Sequence, residues 1–204
     1  MLPGYARHRI DWRLQRHGAL TYAFRSMQLR IATGLDAPAI AELHAASWRH
    51  IYRGALSDSY ISGDVFSERL AVWARRLNVP APNQYVVLAE IRRQVLGFAC
   101  AYCREHREWG SLLDNIHVDQ TICRSGIGAQ MMLNIGSWCT VSAPQVPLYL
   151  WVLASNIAAQ AFYKKLGADD VGSDLWTPPG GGSVPRRRFS WSDPSVLIRS
   201  SRRL

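Results

Sequence analysis

The chain has 204 residues, 48% of them hydrophobic and 19% charged, with 24 Lys+Arg against 15 Asp+Glu. That size and composition fit one globular domain of generous length and exclude a disordered chain, a collagen-like repeat and a coiled-coil rod. The formal +9 sits at the two ends, where Arg7, Arg9, Arg13, Arg16 and Arg25 face only Asp11 in residues 1–26 and six arginines face only Asp193 in residues 186–204; the neutral body argues against a nucleic-acid partner, which needs a basic face on the fold itself.

No apolar run approaches the ~18 residues that span a bilayer, and the arginine-interrupted N-terminus lacks the sustained apolar core of an export signal. A cytoplasmic protein without a membrane partner is expected. Residues 1–26 are predicted to be a basic extension, 27–194 the folded domain, and 195–204 a basic tail.

Residues 28–32 alternate as a strand, Thr33-Gly-Leu-Asp36 turns, and Pro38 sits where a first helical turn accepts proline. Ile40, Leu43, Ser47 and Ile51 then recur at helical spacing, and His44, Trp48 and Tyr52 form a second stripe beside them. This helix therefore carries an apolar face with an aromatic, partly polar flank, and Gly54 ends it. One or two further helices are predicted over 56–77, with Trp73 and Leu77 four apart, before Pro80 and Pro82 break the pattern. Residues 85–90 and 95–104 flank a short polar turn at 91–94, which predicts an antiparallel hairpin, and 111–118 is a third strand. Ile127, Met131, Ile135 and Cys139 repeat every four residues along a helix at 126–139. A strand at 148–153 and a helix from Ser155 or Asn156 to Leu166, closed by Gly167, complete a parallel crossover unit. Residues 178–183 read as a loop and 184–191 as a final strand. The fold class is α/β, a mixed sheet with helices on both sides.

Cys100 and Cys103 have a metal-like spacing, but in a buried strand positions three apart face opposite sides of the sheet. With no second pair to complete four ligands, they are small buried hydrophobes and no metal is expected.

The sharpest local feature is Asp119-Gln-Thr-Ile-Cys-Arg-Ser-Gly126-Ile-Gly128-Ala129, which runs from a strand end into a helix. Small residues there let a ligand approach the backbone, and the free N–H groups at the positive end of the helix suit phosphate oxygens. A P-loop would need a Gly-Lys-Ser/Thr triplet, which does not occur. A dinucleotide fingerprint would need a third glycine where position 131 is Met.

Leu113-Asp-Asn-Ile-His-Val-Asp119 followed by Cys123-Arg-Ser-Gly-Ile-Gly128, and later Leu153-Ala-Ser-Asn156 with Ala161-Phe-Tyr-Lys-Lys-Leu-Gly167, resembles the GNAT family of acetyl-CoA-dependent N-acetyltransferases. Cys123 departs from the family's pattern, which opens its glycine-rich signature with Gln or Arg. The resemblance implies a mostly antiparallel sheet with one parallel crossover pair. It also implies that the backbone of Ile116, His117 and Val118 meets the pantetheine arm of acetyl-CoA. By the same resemblance the amides of Arg124, Ser125, Gly126, Ile127, Gly128 and Ala129 hold the pyrophosphate. Asn156 would contact the cosubstrate, and Tyr163 would protonate the departing thiolate.

Direct transfer to an amine requires a proton to leave the nucleophile, because a free alkylamine has a pKa near ~10.4. Asp114 is the first candidate for the base and His117 the second, on opposite faces if the strand is regular; each has an equally good structural role. Trp48 and Tyr52 would border the acceptor, unless Trp48 belongs to the core. Arg186 to Arg188 could pair with an acidic group on the acceptor, though a solvated strand edge fits them better. The acceptor is expected to be a small-molecule primary amine, with a protein N-terminus or lysine, or a non-catalytic acyl-CoA-binding role, as alternatives. The chain is expected to be a monomer or a homodimer.

Overall fold

The computed structural model describes residues 27–52, 60, 63, 65–178 and 182–200, so the basic N-terminal segment and the expected helix stop at Gly54 lie outside the described residues. In chain order the elements are β1 (Gln28–Ile31), a 3-10 turn (Gly34–Asp36), α1 (Ala37–Ile51), α2 (Val65–Asn78), β2 (Gln84–Ile91), β3 (Gln94–His106), β4 (Gly110–Val118) and a 3-10 turn (Gln120–Ile122). There follow α3 (Ile127–Ser142), β5 (Leu148–Leu153), α4 (Ile157–Lys165), β6 (Asp169–Trp176), β7 (Val184–Trp191) and α5 (Ser195–Ser200).

The apolar runs of β2 and β3 are long because both faces of the sheet are covered. Val86, Leu88, Phe98 and Cys100 point to one layer, where Ile40 and Leu43 of α1 and Trp73 of α2 pack on them. Val87, Ala89, Ala99 and Ala101 point to the other, against Ile127, Met131, Ile135 and Cys139 of α3. A period of two in the strands meets a period near four in the helices, and each stripe finds its partner. Burial of these stripes, at ~25 cal/mol per Å2 of apolar area, is the main stabilising term. Cys103 lies on the opposite side of β3 from Cys100, and both are buried thiols.

The sheet order is β1-β2-β3-β4-β5-β7-β6. Every neighbouring pair is antiparallel except β4 and β5, which α3 connects as a parallel crossover. The β2–β3 turn is two residues, Arg92 and Arg93, both left-handed (φ 48° and 65°), the geometry that matches the twist of a hairpin. Gly167, at φ 86°, ends α4 as its sequence position predicts.

Two segments differ from the sequence-based expectation. Residues 169–176 form the edge strand β6, paired only with β7. Residues 195–200, expected in the basic tail, begin with a short helix whose Leu197 is 2% exposed; it seats against α3, where Gly136 leaves room for the Leu197 side chain.

Candidate active site

The site begins at an irregularity in β4. Cys100 pairs with Asn115 and Ala101 with Leu113, so Asp114 is the extra residue of a bulge. A bulge shifts the alternation of the strand by one. Asp114 and His117, expected on opposite faces, therefore line one cavity. Asp114 reaches across to α2, where Arg76 Nη1 donates to its Oδ2 at 2.7 Å. His117 packs its ring 5.3 Å from Phe98 and 4.7 Å from His44.

Beyond the bulge, β4 and β5 part. They pair only from Ser111↔Leu148 to Leu113↔Leu150, although β4 continues to Val118 and β5 to Leu153. The splay opens a cavity of about 510 Å3 between them. Its floor includes Asn115, Ile116 and His117 on one strand and Trp151, Val152 and Leu153 on the other. Backbone groups of this stretch of β4 thus face the cleft without a strand partner.

Helix α1 supplies a wall with its second stripe: His44, Trp48 and Tyr52, each one turn after the last. Trp48 packs in the core, 7% exposed, and also lines the cavity. Trp176 of β6 closes against this stripe, 5.8 Å from Tyr52 and 6.4 Å from Trp48. Arg69 and Arg76 join from α2, two helical turns apart. Opposite, α4 brings Asn156 and Tyr163. Asn156 Oδ1 accepts from the amide of Ala159 at 3.1 Å and so caps α4. Tyr163 is buried among Phe162, Phe189 and Trp191 with one side on the cavity.

Burial sets the electrostatics. His117 is held down to about 4 by desolvation, so its imidazole is neutral near pH 7. His44 is also pushed well below its ordinary value, first by burial and then by the neighbouring His117, Arg69 and Arg76. The Tyr52 hydroxyl is pushed up to about 12, and that of Tyr163 is also raised, in both cases chiefly by burial; both phenols keep their protons at neutral pH. Trp73 Nε1 donates to His44 Nδ1 at 2.9 Å. An indole nitrogen only donates, so the neutral His44 must carry its proton on Nε2, and Nε2 is buried without a partner among the described residues.

Residues 124–129 lie past the end of β4, at the start of α3. Arg124 and Gly126 are left-handed (φ 67° and 88°), and no side chain caps the helix. The amides from Arg124 to Ala129 make no backbone hydrogen bond among the described residues; the first to do so is that of Gln130, to Gly126 O at 3.1 Å. Ser125 Oγ is buried and unpartnered. A side chain at 128 would meet Phe162 of α4 at 3.4 Å and Val118 of β4 at 3.9 Å, so the glycine leaves the turn open beside both elements. A row of unsatisfied donors at a helix N-terminus fits a pyrophosphate.

Arg186 and Arg187 are not on a solvated edge, because β7 lies between β5 and β6. Arg186 pairs with Asp174 at 2.9 Å and lies 4.1 Å over Trp151, and Arg187 pairs with Asp170 at 2.6 Å. Arg188 lies over Trp109. Among the described residues no cluster of three or more His, Cys, Asp or Glu gathers to hold a metal ion, and no helix is long and apolar enough to cross a membrane.

A mixed sheet whose single parallel pair splays beside a donor-rich helix start defines an acetyltransferase fold. The chain matches the acetyltransferase (GNAT) family over residues 39–168; it belongs to that family and is an acyltransferase. It is 25% identical over 164 residues to a probable N-acetyltransferase of Mycobacterium tuberculosis, covering 78% of this chain and 90% of the relative. The fold is also that of the PaiA N-acetyltransferase of Thermoplasma acidophilum solved with coenzyme A (TM-score 0.64, 18% identity, 81% of this chain and 99% of the other). A spermidine N-acetyltransferase variant of Vibrio cholerae superposes similarly (TM-score 0.62, 15% identity, 86% and 99%).

Proposed function

We propose that this protein transfers the acetyl group of acetyl-CoA directly to a primary amine on a small molecule. The observation that carries the reading is the splay of β4 from β5, which leaves the β5-facing side of Ile116 to Val118 without a strand partner, between the open cavity and the free amides of residues 124–129. An extended pantetheine arm takes up strand-like hydrogen bonds there, and the pyrophosphate takes those of the turn. Cys123 replaces the usual first side chain of the signature, but the donors are main-chain groups that do not depend on it. Asn156 keeps its Nδ2 for the arm while its Oδ1 caps α4.

Acetyl-CoA supplies an activated acyl group with a thiol leaving group. Tyr163, protonated and at the cavity wall, gives its proton to the departing sulfur. His117 lines the cavity, is neutral, and has no hydrogen-bond partner among the described residues; being a weak base, it takes the proton from the acidified N–H of the addition intermediate, after the free amine has lost its own proton to solvent. Asp114 is engaged by Arg76 and by Asn115 Nδ2, so it orients the α2 wall. The guanidinium groups of Arg69 and Arg76 favour the neutral, nucleophilic amine over its ammonium form.

Thermal unfolding with and without acetyl-CoA tests the reading. At ~100 times its dissociation constant the ligand adds ~2.7 kcal/mol, which in a domain of this size raises Tm by ~5–11 °C. No shift at millimolar acetyl-CoA overturns it.

A further inference from the structure

Three features of the α1–α2 wall bear on the acceptor. The first is aromatic: Trp48, Tyr52 and Trp176 stand together on the cavity, with Trp48 and Tyr52 5.0 Å apart. Such a surface takes an aryl or branched apolar group. The second is that the cation site on Trp48 is already filled, since the Arg69 guanidinium lies 4.5 Å from the centre of that ring. A second cation on the same indole would meet a fixed positive charge.

The third is the supply of unused donors. Arg69 has five N–H groups and a side chain only 11% exposed, yet among the described residues it makes a single hydrogen bond, from Nη2 to Glu68 Oε1 at 2.6 Å. Among the described residues its Nε is buried and unpartnered, as is Nε2 of neighbouring His44, fixed as a donor by Trp73. The carboxylate on the lining, Asp114, is committed to Arg76. Buried donors without partners cost free energy until an acceptor reaches them, and a guanidinium with a free edge suits a carboxylate in particular.

We propose that the acceptor is an apolar amino acid, an amine that carries both an aryl or branched side chain and a free carboxylate, with the side chain on Trp48, Tyr52 and Trp176 and the carboxylate on Arg69 assisted by His44. This rests on the transferase reading above and sharpens its acceptor. Aromatic surface alone would also suit a polyamine, but with Arg69 on Trp48 the wall repels one. Lys or Gln at that position would not reproduce the two-donor edge of a guanidinium.

The test is a thiol-release assay with L-phenylalanine, L-phenylalaninamide, phenylethylamine, glycine and spermidine, each compared by kcat/KM. Phenylalanine is expected to exceed each of the others at least tenfold. Equal or better turnover of phenylethylamine or phenylalaninamide shows that the carboxylate is not read, and equal turnover of glycine shows that the ring is not read. A preference for spermidine, or turnover of none of the five, likewise overturns the proposal. In Arg69→Gln the ratio of phenylalanine to phenylethylamine falls toward one, and in Trp48→Ala the ratio of phenylalanine to glycine does. Each ratio is taken within one preparation, so it does not depend on the folded fraction, and an unchanged ratio in either variant counts against the proposal. Acetyl-CoA stabilisation measured on the same protein separates the two levels: no shift removes the transferase reading and this proposal with it, whereas a shift with the wrong preference removes only the acceptor.

Discussion

The hydrogen bond from Trp73 to His44 is the hidden support of the cavity wall, and a double-mutant cycle measures it. Trp73 is 0% and His44 2% exposed, and their contact is 2.9 Å. Trp73→Phe leaves His44 Nδ1 buried without a donor, and His44→Phe leaves the indole N–H without an acceptor. Each orphaned group costs ~1–3 kcal/mol. The Trp→Phe change also removes ring volume beside Phe98, whose ring lies 5.0 Å away, but that loss recurs in the double variant and cancels in the cycle. Trp73→Phe/His44→Phe carries no orphan, so it should be more stable than the sum of the singles by ~1–2 kcal/mol, within the range found for residues that share one contact. Urea unfolding followed by circular dichroism gives the four free energies. Additivity to within ~0.5 kcal/mol would refute the bond, and with it the assignment of the His44 proton to Nε2.

Tyr163→Phe should lower kcat by ~10²–10⁴, the usual contribution of a positioned acid, while the acetyl-CoA-induced Tm shift stays, because no described residue hydrogen-bonds the hydroxyl; wild-type kcat in a thiol-release assay removes Tyr163 as the acid. Gly97→Ala places a methyl 2.9 Å from the His117 carbonyl oxygen and 3.0 Å from Met131 Cε, so β4 must move; a loss of ~1–3 kcal/mol by urea unfolding and a drop in kcat are expected, and an unaltered variant contradicts the tight approach. His117 stays neutral when folded down to about 4 but takes a proton near 6.5 when unfolded. The unfolded chain therefore binds more protons as pH falls from 6.5 toward 4, and stability declines through that window by up to ~1.4 kcal/mol per pH unit from this residue; His117→Asn should flatten the slope of urea-unfolding free energy against pH, and an unchanged slope counts against its burial.

Much of the scaffold was readable because local pattern and tertiary environment agree. The stripe of Ile127, Met131, Ile135 and Cys139 is buried along its whole length, and Asn156 and Gly167 begin and end α4 as their side chains favour. Strand β6 was missed since Asp169–Trp176 is polar, largely exposed and paired on one side only; an edge strand needs no apolar face to be held by its neighbour's backbone. The family resemblance pointed to Asn156 and Tyr163, and Asp114 and His117 were candidates for the base; all four line one cavity. The relative facing of Asp114 and His117 was not readable, because the bulge that resets it is a property of pairing with β3. Arg69 and Arg76 were not singled out in the sequence. Their signal was faint but present: they fall on the same stripe as Trp73, four and three residues away, and so point where Trp73 points.

Direct acetyl transfer between two bound substrates is tested by a single-turnover experiment at limiting acetyl-CoA. Free thiol should appear together with an equal amount of acetylated amine, with rates that depend on the amine, and mass spectrometry of the quenched protein should show no acetylated enzyme at any time. Acetyl-enzyme forming before the amine is added, or acetyl-CoA that binds yet releases no thiol above the rate in buffer with any amine, would contradict the account.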